Sequence, residues 1–127
     1  MRQEPEEIFS RSYITLCGKQ RKVISAWLKP EPGNWLLGSA GLALVGDPPA
    51  PVRDDEILLP RLDQLIELLR HQAAHVIVSC YPEDYSCQVM DGQNESLANV
   101  ISRTPEEAAL RALIFVLAER AANDKPG

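Results

Sequence analysis

A chain of 127 residues, 45% hydrophobic and 24% charged, has the size and make-up of one compact domain with a short arm. Its net charge of −5 excludes a general binder of the nucleic-acid backbone, which needs a clustered Lys/Arg surface. A small anionic ligand stays open, because a few local cations suffice for it, and a membrane span does not. The longest apolar run, "WLLGSAGLALVG" at 35–46, is too short and carries glycines.

In chain order, the opening "MRQEPEEIF" is acidic and polar, unlike a signal peptide, and the chain reads as cytoplasmic. Cys17, Cys80 and Cys87 are an odd set, so reduced thiols are expected. Residues 1–7 read as a frayed tail. "SYITLC" at 12–17 is β-branched and aromatic, "KVISAWLK" at 22–29 alternates, and "GKQR" lies between them, which predicts a β-hairpin. "PEPGN" at 30–34 breaks the pattern. Residues 35–46 read as either a strand or a packed loop. "DPPAPV" at 47–52 is a stiff linker, where the main structural boundary is placed.

The second half predicts a helix from "DDEILLPRLDQLIELLRHQ", with Pro60 in the first turn and Leu62, Leu65, Ile66 and Leu69 as its apolar stripe. Acids at 54–56 and Arg70 at the far end suit the helix dipole. "HVIVSCY" at 75–81, "CQVMD" at 87–91 and "SLANVI" at 96–101 read as three strands, joined by turns at "PEDYS" and "DGQN". In "SRTPEEAALRALIFVLAER", Thr104 is the expected cap, Pro105 the first helical residue and Glu107 the far member of a capping box. Leu110, Leu113, Ile114 and Leu117 form its apolar stripe. The expected fold class is α+β: an N-terminal β-hairpin, then an α-β-β-β-α unit with two helices packed on an antiparallel sheet. Residues 1–52 would be the arm and Pro-rich linker, and 53–127 the sandwich unit, within one compact domain overall.

Helix–strand–strand–strand–helix over 57–121 is also the order of the double-stranded RNA-binding domain. That family carries lysines at the start of its second helix, whereas "TPEEAAL" carries acids that repel phosphate. RNA binding by that route is therefore not expected. The leucine-rich "LPRLDQLIELL" and the Thr-Pro-Glu-opened, alanine-rich "TPEEAALRAL" resemble the C-terminal halves of phage ABA sandwich proteins, small phage and prophage proteins. The resemblance covers about half the chain. Some small phage proteins of broadly similar build sequester nucleotide immune signals of bacterial defence enzymes, and the resemblance implies that kind of role.

The glycines of "GSAGLALVG" lack the lysine and spacing of a phosphate loop, and no nucleophile elbow or metalloprotease helix is present. No catalytic residue, metal or cofactor is expected, and the chain reads as a non-enzyme. His71 and His75 have metal-like spacing but fall at a helix end and a strand start. Cys80 and Cys87 flank a turn, so their thiols could lie opposite each other; two buried core residues are the blander reading. Ile77, Tyr81 and Met90, with Ser79 and Gln88, would line the other face of the strands, open to a partner or a second copy.

For an anion, the usable cations are Arg53, Arg61 and Arg103, with Lys19, Arg21 and Lys22 in the first turn. Trp27, Trp35, Tyr81 and Tyr85 are the stacking candidates. Arg103 also sits beside a helix N-terminus. The ligand-binding set expected from sequence is Arg103, Arg61, Arg53, Tyr85 and Trp35. The expected function is sequestration of a small anionic ligand, such as a nucleotide signal, between subunits of a homo-oligomer. The alternative is a module that inhibits or scaffolds a host protein through its open sheet face.

Overall fold

The computed structural model describes residues 8–123. The expected tail at 1–7 lies outside them. Among the described residues the protein is α+β, with four helices and two three-stranded antiparallel sheets. It divides into one unit ending at Arg61 and another beginning at Leu62. The division thus falls beyond the proline-rich stretch 47–52.

In the first unit, the expected hairpin at 12–29 is replaced by two helices, α1 (Arg11–Lys19) and α2 (Arg21–Trp27). Ser10 caps α1: its backbone is extended, with φ −67° and ψ 151°, and its hydroxyl accepts from the Tyr13 N–H at 3.1 Å. The residues that α1 buries are Tyr13, Leu16 and Cys17. Their spacing of three and four is helical, not the two-residue period of a strand. Burial of that face outweighs the β preference of its branched residues, which is weak and context-dependent. The Tyr13 hydroxyl donates to the buried Pro60 carbonyl at 2.7 Å, and its ring lies 5.6 Å from that of Phe9. "GKQR" is no hairpin turn. Gly18 continues α1, and Gln20 ends it before α2 begins.

"PEPGN" closes on itself around Asn34, which is fully buried. The Asn34 side-chain oxygen accepts from the Glu31 N–H at 2.9 Å, and Gly33 takes a positive φ of 92°. The open stretch 35–46 is a hairpin of β1 (Trp35–Gly38) and β2 (Gly41–Leu44), turned by Ser39 and Ala40. Residues 57–59, expected to belong to a helix, form β3 (Ile57–Leu59) and pair antiparallel with β1. The sheet order is β2-β1-β3. Ile57, Leu58 and Leu59 make a short continuous apolar run, and such a run is ambiguous in periodicity. Pro60 then ends β3 instead of opening a helix. Leu36 and Leu58, opposite each other in register, are both buried, and α1 and α2 pack against β3.

In the second unit, α3 (Leu62–Gln72) buries Gln64, Leu65 and Leu69, with Asp63 in its first turn and Arg70 and His71 in its last. Three strands follow: β4 (His75–Cys80), β5 (Tyr85–Met90) and β6 (Ser96–Ser102), in the order β4-β5-β6. The β5–β6 turn is tied by the Asp91 carboxylate, which accepts from the N–H groups of Gln93 at 2.8 Å and Glu95 at 3.0 Å. Then comes α4 (Pro105–Asn123), capped as expected: the Thr104 hydroxyl accepts from the Glu107 N–H at 3.2 Å.

The stripe that α4 buries is broader than its leucines. Ala108, Ala109 and Ala112 are buried with Leu110, Leu113 and Val116, whereas Ile114 and Leu117 are half-buried. Alanines let the helix approach β5 and β6 closely, and α4 packs on both strands and on α3. Cys87, Val89 and Ala98, buried on one face of the sheet, complete this core. Two helices on a three-stranded antiparallel sheet is the arrangement expected for this half.

Candidate functional site

In the first unit, α2 and the turn at 52–54 form the walls of an open groove of about 600 Å³. The helix brings Arg21, Lys22, Ser25 and Ala26 to it, and the turn brings Val52, Arg53 and Asp54. Helical spacing explains the first set, because residues 21, 22 and 25 share one face of a helix. A hydrogen-bonded turn holds the second. The Glu56 N–H donates to the Arg53 carbonyl at 3.0 Å, and the Glu56 carboxylate accepts from the Arg53 N–H at 2.9 Å.

Arg21 bridges the two walls. Its guanidinium donates to the Arg53 carbonyl at 3.1 Å and to the Asp54 carbonyl. Arg53 joins the turn through its backbone N–H and C=O, so the turn does not depend on its side chain. Three cations and one carboxylate line the groove, which makes it locally positive on a chain of net charge −5. Field lines concentrate in such a concavity and favour an anion. Guanidinium and ammonium donors beside a serine hydroxyl match the oxygens of a phosphate. Trp27, the last residue of α2, is 45% exposed.

The five residues singled out from sequence fall into both units. Arg53 is at the groove. Arg61 lies 3.4 Å from the Glu31 carboxylate and closes over the Gly33 turn. Trp35 is a half-buried sheet residue, opposite Leu44 on one side and Leu59 on the other. Tyr85 opens β5 and is half-buried, in register with Cys80 and Ser102. Arg103 follows β6 with its side chain 83% exposed, and the Asp84 carboxylate lies 3.9 Å away. Thr104 already takes up the Glu107 N–H at that helix start, and Glu106 stands in its first turn. Arg103 and Tyr85 thus share one end of a sheet with carboxylates, and Arg61 and Trp35 serve their own turn and strand.

Ser25, Ala26, Val52 and Asp54 are the lining residues that sequence reading missed, and it placed Arg21 and Lys22 in a hairpin turn. The signal was present. Ser10 is a cap, and apolar Tyr13, Leu16 and Cys17 recur at helical spacing.

The other titratable clusters do different work. His71 lies 3.2 Å from Glu67 on the last turn of α3, and His75 opens β4. Among the described residues no group of three or more His, Cys, Asp and Glu is placed to hold a metal ion. Cys80 and Cys87 do not oppose each other: Cys80 pairs with Tyr85 and Cys87 with Val78. Alternation put both thiols on one face correctly, but Cys80 pairs with Tyr85 across a turn shorter than a direct Cys80–Cys87 pairing would leave. Cys80 is exposed and Cys87 buried. Burial raises the Cys87 thiol to about 11 and the Cys17 thiol to about 12, the latter in spite of a hydrogen bond with Tyr13. Neither is a nucleophile near neutral pH. Among the described residues no helix is long and apolar enough to cross a membrane.

Comparison with known protein families, curated proteins and solved structures returned no match to this chain.

Proposed function

We propose that this protein is a non-enzymatic binding protein that holds a small phosphate-bearing ligand in the groove between α2 and the turn at 52–54. The observation that carries the reading is the convergence of Arg21, Lys22 and Arg53 on one locally positive concavity. No bond is broken. Affinity comes from charge-assisted hydrogen bonds to the anion. The finer part of the proposal is that the ligand is a nucleotide signal and the chain a phage-encoded, cytoplasmic anti-defence protein. The likeness of residues 57–121 to phage ABA sandwich proteins motivates that part.

The test is calorimetric titration of inorganic pyrophosphate and mono-, di- and cyclic nucleotides into the full chain. At least one member of the set binds, and Lys22→Ala and Arg53→Ala each weaken it by about tenfold or more, as loss of a charged hydrogen bond implies. Neither change removes a tie within the turn. A set that gives no heat with the folded chain, or binding indifferent to both variants, defeats the proposal.

A second reading has its own observation. Ile77 is 44% exposed, Tyr81 55% and Ile101 66%. Strand alternation puts Ile77 and Ile101 on the sheet face turned away from α4, and Tyr81 directly follows β4. Exposed apolar residues on one face suit a host-protein partner. Capture of such a partner by the native chain, lost in Ile77→Lys, supports this reading over the first.

A further inference from the structure

The cations of the groove between α2 and the turn at 52–54 are not equivalent. Arg21 is half-buried, and its guanidinium is engaged by the carbonyls of Arg53 and Asp54. Lys22 and Arg53 are exposed and stand on opposite walls. Three cations against one carboxylate leave the groove two positive charges in excess. A phosphate monoester carries roughly −1.5 to −2 at neutral pH, so it balances that excess by itself. Pyrophosphate brings more negative charge than the groove offsets, and a cyclic diester brings less.

Asp54 points to the rest of the ligand. A carboxylate beside a phosphate repels it, and the cost is recovered when that carboxylate accepts from donors on the ligand. With the charge already balanced, the matching donors are neutral hydroxyls and not a ligand ammonium. Ala26 and Val52 add a small apolar surface, which suits the C–H face of a sugar. No aromatic ring is among the described residues that line the groove. Trp27 lies two residues beyond Ser25, and at about 100° per residue it falls on the far side of α2. A base therefore finds no stacking platform in the groove.

On the reading of the groove as a phosphate site, on which this step rests, we infer that its ligand class is the sugar phosphates: a phosphate monoester whose neighbouring hydroxyls donate to the Asp54 carboxylate. Lys22 and Arg53 hold the phosphate, and Asp54 selects the sugar. In a nucleotide the base stays outside the groove.

The experiment is calorimetric titration of ribose 5-phosphate, adenosine 5′-monophosphate, pyrophosphate and inorganic phosphate into the full chain. Ribose 5-phosphate binds about tenfold or more tighter than inorganic phosphate, as hydrogen bonds to a charged group imply. It also binds tighter than pyrophosphate, and the adenosine monophosphate stays within about threefold of it. Asp54→Ala weakens ribose 5-phosphate by about tenfold and leaves inorganic phosphate as tight or tighter, because a repelling charge is gone. A purely structural role for Asp54 would weaken both together. The variant keeps the groove, because Asp54 is exposed and the ties of the turn run through Arg53, Glu56 and the Asp54 carbonyl. Binding of phosphate or pyrophosphate with no advantage for the sugar overturns this inference and leaves the groove an anion site. Parallel losses in Asp54→Ala, or an adenosine monophosphate far tighter than ribose 5-phosphate, overturn it as well. Absence of binding by all four compounds defeats the groove reading and this inference together.

Discussion

Single residues set the stability of this protein in ways that are separable from ligand binding. Thr104 satisfies an otherwise orphaned N–H at the start of α4. Thr104→Ala therefore lowers unfolding stability by about 1 kcal/mol in denaturant melts and leaves anion affinity unchanged. Tyr13→Phe keeps the ring and deletes the bond to the buried Pro60 carbonyl, at a cost of about 1–3 kcal/mol. The thiols give two further readouts. A thiol reagent reaches Cys80 in the folded protein and reaches Cys17 and Cys87 only on denaturation, because those two are buried. Burial raises both above the ordinary 9.0. The folded chain then retains protons that the unfolded chain releases. Stability is thus full below pH 9.0 and falls as pH rises through about 11 and about 12. Denaturant melts on either side of pH 9.0 check the direction, and Cys17→Ala makes the decline shallower.

At the scale of elements, what was legible depended on how far local pattern and tertiary burial agree. α4 carried a cap, a first-turn proline and a long apolar stripe, all pointing one way, and its start is where those residues put it. The three strands of the second sheet lie close to their expected bounds because β-branched runs and turn residues alternate cleanly there. α1 shows the opposite case. Tyr13, Ile14 and Thr15 favour a strand locally, yet the buried set 13, 16 and 17 is helical. Backbone chemical shifts over 11–27 are accordingly helical, and extended values there would restore the hairpin. β3 was hidden for another reason: three consecutive apolar residues have no period to read, and their partner β1 lies far back in the chain. The groove inherited the error at α1. Its cations were visible as residues, but they converge only when 21, 22 and 25 lie on a helix beside Arg53.

For the whole molecule, each of the two units carries its own candidate surface. The first carries the locally positive groove, and the second carries the sheet with the exposed Ile77 and Ile101. The candidate residues reflect the same split: Arg53 belongs to the groove, whereas Arg61, Trp35, Tyr85 and Arg103 have local structural partners. Ligand raises the melting temperature by mass action in the native chain and in Arg103→Glu alike, because Arg103 does not line the groove. The proposed function stands on the groove itself. Nitrogen–proton correlation spectra of the full chain, titrated with the pyrophosphate and nucleotide set, test it most directly. Saturable shifts of the amides of residues 21–26 and 52–54 are expected, with those of residues 75–102 unmoved. Spectra that do not change, or shifts centred on Arg103 and Tyr85 or on Arg61 and Trp35, would contradict it.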